Sequence, residues 1–200
     1  MDLPRTPSFR LDGRRALITG AGRGIGLAAA SALADQGAHV TLVARSADEI
    51  EAAAAAIRAK GGQAAALALD VLDLAATEAA ISAAEPFDIL VNNAGTNRPK
   101  PFTDVTVDDF DAVMGLNVRA AFFLAQHVAK RLLAAKRPGS IINVSSQMGH
   151  VGGIDRAVYC ATKHALEGMT KSAFSRNTNR SASRFERYWR FELPRPSPSA

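Results

Sequence analysis

Tyr159 and Lys163 lie four residues apart in the segment Y-C-A-T-K, and this pair points to proton-transfer chemistry. On a helix, residues at this spacing share a face, so the ammonium group would lie beside the phenol. A neighbouring positive charge favours the phenolate and lowers the pKa of a tyrosine. Such a tyrosine could exchange a proton with the oxygen of an alcohol or a carbonyl compound. Any helix can carry this spacing, so the interpretation depends on the surrounding motifs.

A glycine-rich segment, T-G-A-G-R-G-I-G, precedes this pair at residues 19–26. Gly20, Gly24 and Gly26 give the pattern G-x-x-x-G-x-G, and Ile25 stands where a strict G-x-G-x-x-G would have its third glycine. Glycine in such a turn lets the backbone approach a pyrophosphate closely, and the following helix N-terminus supplies amide donors. Because a strand pattern precedes it and a helix pattern follows, the segment predicts a dinucleotide-binding turn. The alternative is a tight turn that binds nothing.

The end of the second predicted strand discriminates between the two nicotinamide cofactors. A carboxylate there would bind the adenosine ribose, whereas an arginine would receive a 2′-phosphate. This chain has Ala44 followed by Arg45, and Arg23 in the glycine turn could add a second positive charge. The pattern favours NADP(H) over NAD(H), and the alternative is that Arg45 is a solvated surface arginine. Asp70, after the third strand, could accept a hydrogen bond from the adenine amino group or could cap the next turn.

These residues need a scaffold, and hydrophobic periodicity predicts strands and helices that alternate along the chain. Strands are expected at residues 14–19, 39–44, 64–69, 87–91 and 140–144. Helices are expected at residues 25–37, 47–60, 75–84, 107–114, 117–136 and 157–174. Short apolar strands that alternate with helices specify βαβ units and a parallel sheet covered on both faces. The expected fold is a doubly wound, Rossmann-type α/β sheet that binds ligands at the carboxyl ends of its strands.

The chain resembles the short-chain dehydrogenase/reductase family in a series of motifs that occur in the family's order. They are T-G-A-G-R-G-I-G at 19–26, Asp70-Val71, N-N-A-G at 92–95, Asn117, the pair Ser145-Ser146, and Y-C-A-T-K at 159–163. The resemblance extends over about residues 10 to 173. Together these motifs are highly specific for the family, although each one alone is not.

The resemblance implies a catalytic tetrad of Asn117, Ser146, Tyr159 and Lys163. Tyr159 would be the acid/base, and Lys163 would lower its pKa and bind the nicotinamide ribose. Ser146, thirteen residues before Tyr159, would hydrogen-bond the substrate oxygen and stabilise developing charge. Asn117 would hold a water that relays protons from Lys163. Ser145 is the nearest rival of Ser146, but it lacks the family's spacing to Tyr159.

The glycine turn, the strand ends and the resemblance together assign a larger set of residues to the cofactor. Within that set, the segment N-N-A-G would line the cofactor channel. The full set is Gly20, Arg23, Gly24, Ile25, Gly26, Arg45, Asp70, Val71, Asn93, Ala94, Gly95, Tyr159 and Lys163. No His/Cys/Asp/Glu cluster has metal-ligand spacing, and the resemblance implies a mechanism that needs no metal.

Composition limits the classes of protein to which the chain can belong. Its 200 residues suit one domain, and 48% hydrophobic with 22% charged residues is typical of a soluble globular chain. Cys160 is the only cysteine, so no internal disulfide can form and a cytoplasmic location is expected. No apolar run reaches the length of a membrane span, and the N-terminus lacks a secretory signal. His150 and His164 are expected to be structural or solvent-exposed.

The net charge of +5 is concentrated near the C-terminus. From Phe174 onward the chain has six arginines and two glutamates, which leaves a net charge of +1 for the first 173 residues. A nucleic-acid-binding domain would carry a basic patch on its folded face. The nearly neutral domain therefore argues against a nucleic-acid partner.

The family pattern stops after Phe174, where the resemblance implies two further strands and a substrate loop. The composition changes abruptly there, which suggests a frameshift or premature termination that nucleotide sequencing of the region can test. The C-terminal strands of the family fold would then be missing, and the fifth strand would have an open apolar edge. Phe185, Trp189 and Leu193 have near-helical spacing and could cover that edge.

Three regions are expected. They are an N-terminal extension at 1–10, a dinucleotide-binding domain with the catalytic motif at 11–174, and a basic, poorly ordered tail at 175–200. The leading interpretation is an NADP(H)-dependent oxidoreductase that interconverts a ketone and a secondary alcohol. The alternative is a nucleotide-binding module without turnover. A homodimer is expected through the helices 117–136 and 157–174, and sugars, polyols, steroids and oxoacyl thioesters are all open as substrates.

Overall fold

The computed structural model describes residues 8–172 and the backbone of residues 189–191. Its strands are β1 Arg15–Thr19, β2 His39–Ala44, β3 Gln63–Ala68, β4 Ile89–Asn92, β5 Gly139–Asn143 and β6 Trp189–Phe191. They form one sheet in the order β3-β2-β1-β4-β5-β6. The first five strands are parallel, and β6 is antiparallel to β5. The predicted doubly wound parallel sheet is confirmed.

The helices of the described residues connect these strands. They are α1 Gly24–Asp35, α2 Ala47–Ala59, α3 Leu74–Ala83, α4 Val107–Met114, α5 Ala121–Ala134 and α6 Ala157–Ser172. Short 3₁₀ turns at Phe102–Asp104 and Gln147–Gly149 were not predicted. Three of these helices have a side-chain N-cap that accepts a backbone N–H of the first turn: Ser46 caps α2, Asp73 caps α3 and Thr106 caps α4. Such caps satisfy amide donors that a helix start would otherwise leave unpaired.

Two hydrophobic clusters cover the two faces of the sheet. Adjacent residues of β1 point in opposite directions, so Ile18 packs in the cluster that contains Leu42 and Ile50, while Leu17 packs with Leu124 and others on the opposite face. The alternation follows from the pleat of a strand. Burial on both faces explains why the central strands are apolar throughout.

The sheet order places a switch point between β1 and β4. From β1 the chain proceeds outward to β2 and β3, and it then returns to the other side of β1 to form β4 and β5. The connecting loops therefore separate at the carboxyl ends of β1 and β4. In open α/β sheets this crevice is where ligands bind.

The two helices expected at 107–114 and 117–136 form one continuous helical stretch, so the predicted break is wrong. Gly115 and the following residues continue the helix as a π-helical segment, Gly115–Ala120, between α4 and α5. Glycine lowers helix propensity, so a helix break is common at such a residue. However, Gly115 keeps right-handed helical angles of φ −57° and ψ −52°, and the wider π turn absorbs the irregularity.

This stretch, Val107–Ala134, is also the one helix in the described part of the chain that is long and apolar enough, by length and composition, to cross a membrane. The helix is not the uninterrupted apolar run that the sequence expectation concerned, since Asp108, Arg119 and Lys130 are among its charged residues. Leu124, Val128 and Leu132 are buried against the sheet. Core packing accounts for the apolar composition of this helix.

The edge of β5 differs from the expectation. Residues Trp189–Phe191 form β6 and pair antiparallel with Gly139–Ile141, so a short strand that was not predicted covers part of the expected open edge of β5. Backbone N–H and C=O groups at a sheet edge can pair with any extended segment, which hydrophobic periodicity does not reveal. The strand conformation at Trp189 also excludes a helical cap there. Phe185, Leu193 and the remainder of the predicted tail and N-terminal extension, at 1–7, 173–188 and 192–200, lie outside the described residues.

Candidate active site

The turn between β1 and α1 requires glycine at several positions. Gly20 and Gly24 have φ values of +62° and +57°, a region that side chains other than glycine rarely adopt. A Cβ atom on Gly26 would collide with the carbonyl oxygen of Gly20 and would lie 2.6 Å from Nδ2 of Asn93. The three predicted glycines thus produce one compact turn at the switch point.

The N-terminus of α1 is prepared for an anion. No side chain caps it, in contrast to α2, α3 and α4, and no acidic residue lies in its first turn. A Cβ on Gly24 would meet no atom within 4 Å, so there is open space beside the turn. Ile25 is 68% exposed at the same helix start. Free amide donors and the positive end of the helix dipole fit a pyrophosphate at this position.

Hydrogen bonds from Thr19 and Asn93 fix the carboxyl end of β4 to this turn. The Asn93 amide donates to the carbonyl oxygens of Thr19, at 2.9 Å, and Gly20, at 3.1 Å. The Thr19 hydroxyl accepts from the backbone N–H of Asn93 and of Ala94, each at 3.0 Å. Asn93 therefore shapes the crevice by holding its two walls together. Thr19 was missed at the level of sequence, although it directly precedes the first glycine of the turn.

Arg23 lies in the turn before α1, and Arg45 directly follows β2. Arg45 is exposed at the end of β2, and the side chain of Arg23 is 90% exposed with its Nε 4.0 Å from a carboxylate oxygen of Glu49. Glu49 lies in the first turn of α2, next to the cap Ser46. Ser46 and Glu49 were not predicted, because the sequence prediction considered only the strand end and the glycine turn.

Asp70 and Val71 follow β3 at the same edge of the sheet. The Asp70 carboxylate accepts the backbone N–H of Leu72 at 3.0 Å, as the turn-capping alternative predicted. Val71 is 7% exposed, and its side chain packs in the core. Val71 therefore has little side-chain surface to offer a ligand.

Tyr159 and Lys163 share a face of α6, as their spacing predicted. The Lys163 ammonium lies 5.4 Å from the centre of the Tyr159 ring and donates to the carbonyl oxygen of Val144 at 2.8 Å. Lys163 is 7% exposed, and its burial lowers the pKa of the ammonium. The phenol is half-buried. The pair places a cation against a phenol next to the end of β5.

Asn117 lies in the π-helical segment and is 1% exposed. Its Oδ1 accepts the Thr96 N–H at 2.8 Å, and its Nδ2 donates to the Thr96 carbonyl at 2.9 Å and to the Thr162 hydroxyl at 3.2 Å. Both amide hydrogens are therefore used within the chain. A water at Asn117, as the resemblance implied, would need the remaining lone pair of Oδ1 or the backbone. Gly95 packs closely here, since a Cβ on it would lie 3.2 Å from Oδ1.

Ser146 lies between β5 and α6 and caps the turn Gln147–Gly149, accepting the N–H of Met148 at 3.2 Å. The turn packs tightly on α6, because a Cβ on Gly149 would lie 3.1 Å from the Lys163 carbonyl oxygen. The hydroxyl of Ser145 is buried, and the structure gives it no partner among the residues it describes. The geometry brings the Ser146 turn against the helix that carries Tyr159 and Lys163.

The two histidines near these motifs have local partners. Nε2 of His150 lies 3.3 Å from a carboxylate oxygen of Glu167, and Nδ1 of His164 lies 3.0 Å from the carbonyl oxygen of Cys160. Within residues 8–172, no three His, Cys, Asp or Glu side chains come together in a way that could hold a metal ion.

Comparison with known proteins identifies relatives of this arrangement. The family model described as short chain dehydrogenase matches residues 14–180. The D-erythrulose reductase of Gallus gallus is 44% identical over 165 residues, which cover 82% of this chain and 65% of the relative. The L-xylulose reductase of Mesocricetus auratus is 40% identical over 161 residues, covering 80% of this chain and 64% of the relative.

Among solved structures, a gluconate 5-dehydrogenase from Burkholderia cenocepacia J2315 in complex with NADP and tartrate is 41% identical. Its TM-score is 0.77, and the match covers 82% of this chain and 65% of that one. The chain thus spans a little less than two thirds of the length of these relatives.

Proposed function

Because the chain belongs to the short-chain dehydrogenase/reductase family, we propose that it interconverts a carbonyl compound and a secondary alcohol with NADP(H) as cofactor. The observation that carries the proposal is the buried Lys163 ammonium 5.4 Å from the centre of the Tyr159 ring. A phenol beside a cation, close to a crevice that fits a dinucleotide, has the parts that proton transfer to a substrate oxygen needs.

The residues of the crevice fit a dinucleotide. The uncapped start of α1, with open space beside Gly24, would bind the pyrophosphate through backbone amides. Arg23 and Arg45 supply positive charge where a 2′-phosphate would lie, and β2 ends without a carboxylate. The related gluconate 5-dehydrogenase was crystallised with NADP. These observations support NADP(H) over NAD(H).

The reaction divides between the cofactor and the protein. When bound, NADP(H) supplies or accepts a hydride at the nicotinamide ring. Tyr159 gives its proton to the substrate oxygen during reduction and takes it back during oxidation. Lys163 places its amino group beside the phenol, and Ser146 donates a hydrogen bond to the substrate oxygen. Asn117 holds the Thr96 backbone beside the cofactor crevice.

We also propose that the substrates are small ketoses and the polyols formed by their reduction. The names of the two relatives, D-erythrulose reductase and L-xylulose reductase, both describe reduction of a short-chain ketose. Such a substrate presents the secondary-alcohol or ketone carbon on which the chemistry above acts.

The function is tested by NADPH oxidation with L-xylulose and D-erythrulose, together with NADPH binding measured by fluorescence. We expect turnover with at least one ketose and a preference for NADPH over NADH. Binding without turnover of any carbonyl compound would favour the nucleotide-binding module instead. The absence of both would contradict the cofactor assignment.

Cofactor preference has a separate test at Arg45. We expect Arg45→Ala to raise the Kd of NADPH by about tenfold, because a charge-assisted contact to phosphate is lost, and to change the Kd of NADH little. Lys60→Ala, at the opposite end of α2, is the matched control and should change neither Kd. Equal effects of Arg45→Ala on both cofactors would contradict the 2′-phosphate role.

A homodimer and a cytoplasmic location are part of the proposal. An open groove of about 510 Å³ on the outer side of the long helix is lined by Met114, Val118, Phe122 and Phe123 among others. An exposed apolar surface of this kind supports self-association through the predicted helices. In sedimentation experiments we expect Phe122→Asp to shift a dimer to a monomer, while Leu133→Asp, a similarly exposed position on α5, should not.

A further inference from the structure

The hydroxyl of Thr162 lies between the two proposed reaction residues and connects them to another part of the chain. Thr162 is fully buried. Its Oγ1 donates to the Tyr159 carbonyl oxygen at 2.7 Å and accepts from Nδ2 of Asn117 at 3.2 Å. We propose that Thr162 is a positioning residue that aligns the first turns of α6, with Tyr159 and Lys163, against Asn117 and the Thr96 backbone. This inference rests on the proposed function.

Thr162 suits this role because its hydroxyl accepts one of the two amide hydrogens of Asn117. The Asn117 amide uses one hydrogen on the Thr96 carbonyl and the other on Thr162. Without the Thr162 oxygen, one amide hydrogen of the buried Asn117 would lose this partner. A buried donor in that state drives the surrounding structure to rearrange. The rearrangement would act on Asn117 and on the turn that carries Tyr159.

Asn117 extends the connection to the cofactor side of the crevice. It clamps both the N–H and the C=O of Thr96, which directly follows the segment N-N-A-G. That segment is fixed to the glycine turn through Asn93. The hydrogen bonds thus run from the glycine turn through the N-N-A-G segment and Asn117 to Thr162 and the helix of Tyr159. A displacement of about 1 Å between reacting groups can lower the rate on the order of 100-fold.

The same helix contains a matched control. Two turns further on, the Thr170 hydroxyl donates to the Leu166 carbonyl oxygen at 2.6 Å and accepts from Nδ2 of Asn143 at 3.2 Å. Thr170 therefore makes the same two kinds of hydrogen bond and also anchors α6, but at a greater distance from Tyr159. If Thr170 only stabilises the helix and Thr162 positions the reaction centre, substitutions at the two positions should affect kcat differently.

The kinetic experiment compares T162V, T162S and T170V in the full chain. We expect T162V to lower kcat for ketose reduction by roughly 10- to 100-fold, with the Kd of NADPH changed less than about twofold. T162S keeps the hydroxyl and should retain most of the rate, and T170V should stay near the parent. If T162V and T170V lose the same fraction of kcat, or if T162S fails to rescue, the proposal is overturned. T162A replaces T162V if the valine variant does not fold.

Hydrogen exchange of the Thr96 amide gives a readout that does not need turnover, because this N–H is bound to Oδ1 of Asn117. We expect exchange at Thr96 to become about tenfold faster in T162V and to be unchanged in T170V. If exchange at Thr96 becomes faster in T162V but the parent chain is inactive, the positioning role of Thr162 is supported and the proposed function is rejected. Equal exchange rates of the Thr96 amide in T162V and T170V would overturn the positioning role of Thr162, whether or not the chain is active.

Discussion

At the scale of single residues, Lys163 has the most informative environment. Its ammonium is buried, has one described hydrogen-bond partner in the Val144 carbonyl, and lies over the Tyr159 ring. Burial disfavours the charged form and lowers the pKa of the amine, while the carbonyl and the ring favour the charge. The carbonyl and the ring thus offset part of the cost of burying the charge that the proposed chemistry uses.

This environment predicts a specific dependence of stability on pH. Because the pKa of Lys163 is lowered from 10.5 on folding, the unfolded chain binds its proton more tightly than the folded chain. The free energy of unfolding should therefore rise with pH in the alkaline range up to about 10.5 through this group. Lys163→Met removes that contribution. Urea unfolding of both chains from pH 7 upward should show the parent gaining stability relative to the variant, and parallel curves would contradict the burial argument.

Individual residues also show what a sequence can and cannot predict. Tyr159 and Lys163 are neighbours because helical geometry brings residues four apart together, which is a local rule. The partners of Asn117 are Thr96 and Thr162, at separations of 21 and 45 residues. No local rule specifies such contacts, so Thr96 and Thr162 were missed even though Thr162 is part of Y-C-A-T-K.

At the scale of elements, the glycine turn can be tested against a glycine of a different kind. We expect Gly26→Ala to abolish NADPH binding and to destabilise the chain by about 1–3 kcal/mol, because its Cβ would overlap the Gly20 carbonyl. At Gly168, within α6, an added Cβ would meet no atom within 4 Å, and the backbone there has no positive φ. Gly168→Ala should stabilise the chain by up to about 1 kcal/mol, since alanine is the better helix former. Similar effects of both substitutions on binding would contradict the tight turn.

The start of α4 offers a second test at this scale. Asp109 is buried, completes a capping box with Thr106 and bonds to Lys100 at 2.6 Å. The Lys100 ammonium, followed by Thr106 and Arg98, holds the pKa of this carboxyl well below its ordinary value. Its contribution to stability is therefore present at neutral pH and is lost as the pH falls below about 3.8, the ordinary value. Asp109→Asn should lower the melting temperature at pH 7. In acid, the melting temperatures of the variant and the parent should lie closer together, as calorimetry can measure. An unchanged gap would contradict this role.

The predicted elements agree with the structure wherever hydrophobic periodicity is strong. The strand at 39–44 was predicted with its observed bounds, since five apolar or β-branched residues follow His39 and end at a loop. The π-helical segment and β6 were not predicted. The π-helical segment depends on how the helix accommodates packing, and β6 depends on backbone pairing with the sheet edge. Neither produces a periodic pattern of hydrophobic residues in the sequence.

At the scale of the whole molecule, stability and function are expected to separate between the two ends of the sheet. Asp88 lies at the amino end of β4 and is 2% exposed. It accepts hydrogen bonds from the Arg15 N–H at 2.9 Å, from Arg14 at 3.2 Å and from Arg137 at 2.7 Å. These bonds join β1, β4 and the start of β5 at the edge opposite the crevice.

Asp88→Ala tests this separation. Removing the Asp88 carboxylate leaves the Arg15 N–H without this acceptor, while Arg14 and Arg137 stay partly exposed, so we expect the unfolding free energy to fall by about 1–3 kcal/mol. The Kd of NADPH, measured well below the melting temperature, should change less than about twofold because the cofactor crevice lies at the other end of the strands. A large change in Kd in the folded variant would contradict the division between a stabilising edge and a functional edge.

The proposed proton donor is tested most directly by Tyr159→Phe, which removes one oxygen and preserves the ring beneath Lys163. NADPH binding by fluorescence and ketose-dependent NADPH oxidation are measured on the same preparations of parent and variant. We predict an unchanged Kd for NADPH and a loss of kcat of at least about 100-fold, in line with the contribution of a general acid. A Tyr159→Phe chain that binds NADPH and reduces the ketose at the parent rate would contradict the account.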